Sequence, residues 1–313
     1  MKSSSEIEKL RARLVDYAWS AWTCLGVAGW SSSQFAGCID IDALVLHTGR
    51  LGDVDARLRD ESLDWCASNI AFVSRSRIEH LRKDGVSGGA WAAYAGTLQR
   101  ATKQRWPGAG EAFEWRASGK SRLAQRNEGA ALGLRCRALF GATARSEVVR
   151  ILLLEGEARA LDARDLAEEA AYTKRSIGEA LESLAAAGMV RSTAVGNSLR
   201  FQLTRHTELE ALLAPLPSVR TSQRAFCRVM AAVLETCEAA RSASARVRQV
   251  ESARLARTLA ADVQRIETRS PLLDSKSPAL DEWLSWSIAQ CEVQSGAPAG
   301  KPSRTSSARP HHG

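Results

Sequence analysis

The sequence predicts a mainly α-helical chain with one small β-hairpin near its middle. Apolar residues recur at spacings of three, four and seven along most of its 313 residues. Clusters of glycine, proline and serine interrupt that period, so the expectation is many short helices. The period gives way most clearly over residues 189–203, where two short runs flank a polar turn containing Gly196-Asn197.

Each element follows from its own pattern. Residues 1–30 read as one amphipathic helix with Ile7, Leu10, Leu14, Ala18 and Leu25 inward and Trp19 and Trp22 beside them, ended by Gly26, Gly29 and the serines at 31–33. A short helix, a Gly-Asp turn and a helix over about 56–67 come next, with Leu58, Ser62 or Leu63, Trp65 and Cys66 on its buried stripe. A helix over about 76–83 buries Ile78 and Leu81, DGVSGG is a loop, and a helix over 91–106 stops at Pro107 and Gly108. Residues 107–130 are mixed, with Phe113 and Trp115 followed by the polar and basic GKSRLAQRNEG, the pattern of a loop or strap. Farther on, a stripe from Phe226 to Ile266 fits two packed helices or one long dimerising helix, 270–278 is a linker, and 279–293 forms a helix carrying Trp283 and Trp286. The chain then divides into an N-terminal helical domain (1–130), a central module (131–213), a C-terminal helical region (218–293) and a disordered tail (294–313).

Composition narrows the function. A chain that is 45% hydrophobic and 25% charged is long enough for two or three domains with a real core. It has no apolar run approaching the roughly 18 residues that a bilayer requires, and its opening lacks the hydrophobic centre of a secretory signal. The expected place is the cytoplasm, at the nucleoid, with no membrane partner. The seven cysteines are scattered and never form a CxxC pair, and the histidines outside the tail are isolated. Reduced thiols that fill the core are expected, with no metal and no cofactor. Carboxylates paired at Asp40/Asp42 and Asp53/Asp55 are what caps and turns use, and no phosphate loop or nucleophile motif accompanies them, so an enzyme is not expected.

Net charge is +8, and its distribution says more than its sum: residues 71–140 hold 13 basic against 5 acidic side chains, whereas 141–205 hold 9 of each. The basic excess lies just before the central module, where Lys120, Arg122 and Arg126, with Arg116, Arg135 and Arg137, are candidates for auxiliary phosphate contacts.

Within that module a helix over 146–154 precedes a short strand at 159–161 and a helix that Asp162 caps. Thr173 caps a third helix, which presents Lys174, Arg175 and Ser176 in its first turn and turns Ile177, Ala180, Leu181 and Leu184 inward. Gly188 stops it, and strands 189–193 and 199–203 form a hairpin, with Arg191 and Arg200 on its strands and Arg205 just beyond, all placed to touch phosphate or enter a minor groove.

The run LAEEAAYTKRSIGEALESLAAAGMVRSTAVGNSLRFQLT resembles the DNA-binding core of winged helix-turn-helix bacterial repressors of the general MarR and ArsR type, over about 60 residues. The resemblance implies double-stranded DNA as partner, base contacts from Thr173, Lys174, Arg175 and Ser176, and phosphate contacts from Arg191 and Arg200. The chain departs from the pattern in lacking the cysteine metal motif and the charged pair of the wing tip, and in placing Glu179 and Glu182 on the third helix. The expectation is a homodimeric transcriptional regulator, repressor-like, open to a small-molecule or protein effector. The alternative is a winged-helix interaction scaffold, as in a toxin-antitoxin or phage-defence system. Trp19, Trp22, Trp30 and Trp65 either line an effector pocket or fill the core.

Overall fold

A computed structural model describes residues 2–29, 35–83, 89–123, 128–157, 159–274 and 278–295. The expected DGVSGG loop, Trp30, Arg126 and all but the first two residues of the expected tail lie largely or wholly outside them. The helices are α1 (Lys2–Cys24), α2 (Ile41–Leu51), α3 (Ala56–Ser68), α4 (Arg75–Lys83), α5 (Gly89–Thr102), α6 (Leu132–Phe140), α7 (Ala144–Glu155), α8 (Ala163–Ala170), α9 (Lys174–Ala186), α10 (His206–Leu213), α11 (Gln223–Ala239), α12 (Ala245–Ile266), the single turn α13 (Pro271–Asp274) and α14 (Leu280–Gln294). Strands β1 (Leu161–Asp162), β2 (Val190–Val195) and β3 (Ser198–Leu203) form an antiparallel sheet in the order β1-β3-β2. The chain is therefore mainly helical with one small sheet.

Several helices begin where a short polar side chain satisfies free backbone donors. Asp40 accepts from the Ala43 N–H, Asp55 from Leu58, Ser222 from Ala225 and Ser244 from Val247. Helix α5 ends four residues before the expected Trp106, at Thr102, because Lys103 adopts a left-handed backbone with φ 54°. The long stripe from Phe226 to Ile266 is two helices, α11 packed on α12, and the expected linker contains the turn α13.

Two apolar cores result. The larger joins α1, α2, α3 and α5 to α11, α12 and α14 around Tyr17, Trp22, Trp65, Trp91, Phe226 and Trp283. Helix α1 lies along α14 and α11, so the stretches 1–130 and 218–293 that the sequence separates share one interior. Trp22 and Trp65 sit there with ring centroids 5.4 Å apart, and their indole N–H groups donate to Thr48 Oγ1 and the Leu25 carbonyl, both at 2.8 Å. These rings are core filling with satisfied donors, and half-buried Trp19 donates to Asp55 at 2.9 Å, so they do not line an effector pocket.

The smaller core belongs to α6 through α10 and the sheet. Val148, Val149, Leu152 and Leu153 of α7 meet Leu166 of α8, Ile177, Leu181 and Leu184 of α9, and Val190 and Leu203 of the hairpin. All seven cysteines are buried and unpaired, and burial pushes the thiols of Cys136, Cys227 and Cys237 up to about 12, so they remain protonated.

Candidate nucleic-acid interface

The central module sets α9 across α7 and α8 and follows it with the hairpin. Asp162 caps α8 by accepting from the N–H groups of Arg164 and Asp165, and α8 ends at Ala171 with φ 52°. That left-handed residue turns the chain sharply into α9. Thr173 Oγ1 accepts from the Ser176 N–H at 3.1 Å, and the two hydroxyls lie 2.9 Å apart. With Ile177, Ala180, Leu181 and Leu184 buried beneath, Thr173, Lys174 and Arg175 stand exposed on the opposite face and Ser176 is half-buried.

The two cations of that turn differ. Arg175 Nε donates to Glu179 Oε1 at 2.9 Å, one helical turn on, so part of its hydrogen-bonding capacity is already used. The pair is exposed on both sides and weak, so a phosphate can displace it. Lys174 has no ion-pair partner among the described residues.

In the hairpin, Val195 faces Ser198 across the two-residue turn Gly196-Asn197, with Gly196 at φ 58°. Arg191 is exposed opposite Gln202. Arg200 lies on the middle strand opposite Asp162, its Nη1 3.8 Å from that carboxylate and 3.6 Å from Asp165, so it ties the strand to the start of α8. Arg205 is exposed immediately before α10.

The auxiliary cations separate into different environments. Lys120 and Arg122 are exposed on a strap that Asp64 of α3 holds by accepting from the N–H groups of Gly119 at 2.9 Å and Ser121 at 3.0 Å, while the Arg122 N–H donates to the Gly26 carbonyl. Their described contacts run to α3 and the end of α1, and none reaches α9. Arg135 and Arg137 are not surface groups as expected. Arg135 donates to the carbonyls of Glu128, Leu213 and Pro215, and Arg137 is buried.

That burial belongs to a cluster no short sequence pattern announces. Asp40, Asp42, Arg77, Arg137, Glu147 and Arg150 come from α2 and its cap, α4, α6 and α7, and all are buried. Arg77 Nη2 donates to Asp40 at 2.6 Å, Arg137 Nη2 to Asp42 and to Glu147 at 2.7 Å each, and Arg150 Nε to Glu147 at 2.9 Å. Burial works to raise the Glu147 carboxyl, but Arg77, Arg150 and Arg137 outweigh it and hold it at about 2; Asp40 is likewise held below the usual carboxylate range. The Asp40/Asp42 pair thus caps a helix and neutralises guanidinium groups. Arg77 also reaches the central module, donating through Nε to the Ala170 carbonyl at 2.6 Å, and Ser74 Oγ meets the Tyr172 hydroxyl at 2.7 Å. The turn that launches α9 is therefore fastened to the start of α4.

Among the described residues no His, Cys, Asp and Glu side chains group to hold a metal ion, and no helix is long and apolar enough to cross a membrane. Comparison with protein-family models, with curated proteins and with solved structures finds no match for this chain.

Proposed function

We propose that this chain is a sequence-specific DNA-binding protein acting in transcriptional control, at the nucleoid, with α9 entering a major groove as a recognition helix and the hairpin lying along the backbone as a wing. The observation that carries the reading is the first turn of α9. Thr173, Lys174 and Arg175 are exposed while the opposite face of the same helix is locked into a core, the arrangement that lets a helix enter a groove without losing its support. The free N–H groups at its start add anion affinity. A homodimer fits this reading: Val247 and Val250 on α12 are 48% and 57% exposed and supply an apolar surface for a second copy. A two-fold dimer would read half-sites about 34 Å apart. An effector has a place as well, in a cleft of about 630 Å³ between α7, α8 and α12, where Arg159, Arg220 and Arg265 face Glu155 and Glu169.

The test is a salt-dependent gel shift on duplexes from the region upstream of the gene for this chain. Lys174→Ala is expected to weaken binding by about 5- to 100-fold, the range for one good base or phosphate contact. Arg175→Ala should lose less, since Glu179 already competes for it. Unchanged affinity for Lys174→Ala supports instead the interaction scaffold. That second reading draws on Val195 and Leu199, which are 56% and 52% exposed at the hairpin tip and offer a protein partner an apolar anchor.

A further inference from the structure

The basic excess before the central module converges at a place the sequence does not indicate. Between α4 and the end of α5 runs an open groove of about 1020 Å³, lined by Arg75, Arg82, Lys103 and Arg105, with Glu79 the one carboxylate along it among the described residues. Glu79 is occupied by Arg82, whose Nη1 donates to it at 3.1 Å. Gly108 leaves room for the Arg82 guanidinium, since a methyl group there would fall 2.4 Å from its central carbon. Arg75, Lys103 and Arg105 have no carboxylate partner among the described residues. Lys103 occupies a left-handed conformation that glycine or asparagine adopts more easily.

The geometry points to this groove as a second DNA-backbone site, which takes the phosphates flanking those met by α9. The inference rests on the DNA-binding reading above and extends its footprint. Two features favour nucleic acid over an acidic peptide. Trp106, the large ring on the groove wall, is 2% exposed, so the groove lacks the aromatic anchor on which a peptide interface depends. Phosphate needs only cations and polar donors, and Ser76, Gln99 and Gln104 supply the donors. The groove also starts where the recognition turn is fastened. Ser74 Oγ bridges Tyr172 to Ser76 Oγ, at 2.7 and 3.2 Å, and Arg75 beside it donates to the Arg105 carbonyl at 3.2 Å. The turn before α9 and the α4 end of the groove are therefore neighbours.

Lys103→Ala/Arg105→Ala removes two exposed side chains that carry no described packing role. Circular dichroism and a thermal melt should match wild type. Each phosphate contact contributes about 0.9 to the slope of log K against log salt, so the double variant should lose about 1.8 for each bound protomer. A fourfold rise in salt then costs it about tenfold less affinity per bound protomer than it costs wild type. Lys9→Glu, an equal charge change on the exposed face of α1, should leave the slope unaltered. An unchanged slope for the groove variant on a duplex that wild type binds and Lys174→Ala loses overturns the groove and spares the recognition helix. An equal fall for the α1 variant also overturns the groove, because net charge alone then explains the effect. A reduced slope for the groove variant beside a normal Lys174→Ala keeps the groove as a backbone site and removes α9 as the reader. If wild type binds no duplex, both proposals fall.

Discussion

The imidazole of His47 shows how burial turns one side chain into a pH liability. The ring is 3% exposed, and burial first, then the nearby Arg50 guanidinium, bring it down to about 4 against the opposing pull of a hydrogen bond at the Leu14 backbone. The fold therefore holds the neutral ring, while the unfolded chain takes up a proton as pH drops below 6.5. Stability contributed by this group is complete above pH 6.5 and is lost between pH 6.5 and 4, by up to about 3 kcal/mol. Urea unfolding followed across that window should show the loss in wild type and a flatter profile in His47→Leu; equal slopes in the two proteins would reject the assignment. Glu147 acts lower, where protonation between pH 4.5 and 2 removes what its ion pairs add. Side chains whose partners are local were legible in the sequence, as Asp162 and Thr173 were, since a cap is defined within three residues. Arg137 was not: it pairs with a carboxylate 95 residues away, and nothing in its neighbourhood separates it from a solvated arginine.

At the scale of one element, α9 depends on its first turn. Thr173→Ala removes the acceptor for the Ser176 N–H and should cost about 1 kcal/mol in urea unfolding. Amide exchange at Lys174–Ile177 should quicken while Leu181 and Leu184, seated in the core, stay protected. Exchange in the first turn that remains as slow as in wild type would mean that packing alone holds it. Periodicity located most helices and the hairpin, because Gly196-Asn197 marks its turn and α9 repeats its apolar face without interruption. Helix α10 is not legible in the sequence, since HTELEALL is too short to establish a period. The end of α5 was misplaced because the residue that stops it is a lysine in a glycine-like conformation.

For the whole molecule, linear order proved a poor guide to the interior. Turn-rich stretches suggested three consecutive units, yet α1 packs along α14 and α11, and Tyr17 of the first helix donates to Gln223 at 2.6 Å within the larger core. A fragment of residues 1–130 accordingly leaves the apolar faces of α1 and α2 uncovered and should not fold alone. Expressed by itself it should give a poorly dispersed amide spectrum and no cooperative melt, and co-expression with 218–295 should restore both. A well-dispersed spectrum from the lone fragment would show that the C-terminal helices are dispensable to that core.

The desolvated carboxylates and guanidinium groups between the two cores make their joint stiff. Apolar surfaces slide past one another at little cost, whereas a shift here would strand charges away from water with their counterparts out of reach. The angle of α9 to the larger body is consequently fixed before any partner arrives. A ligand that spans both meets a preset template, and none of its affinity is consumed in freezing a swinging head.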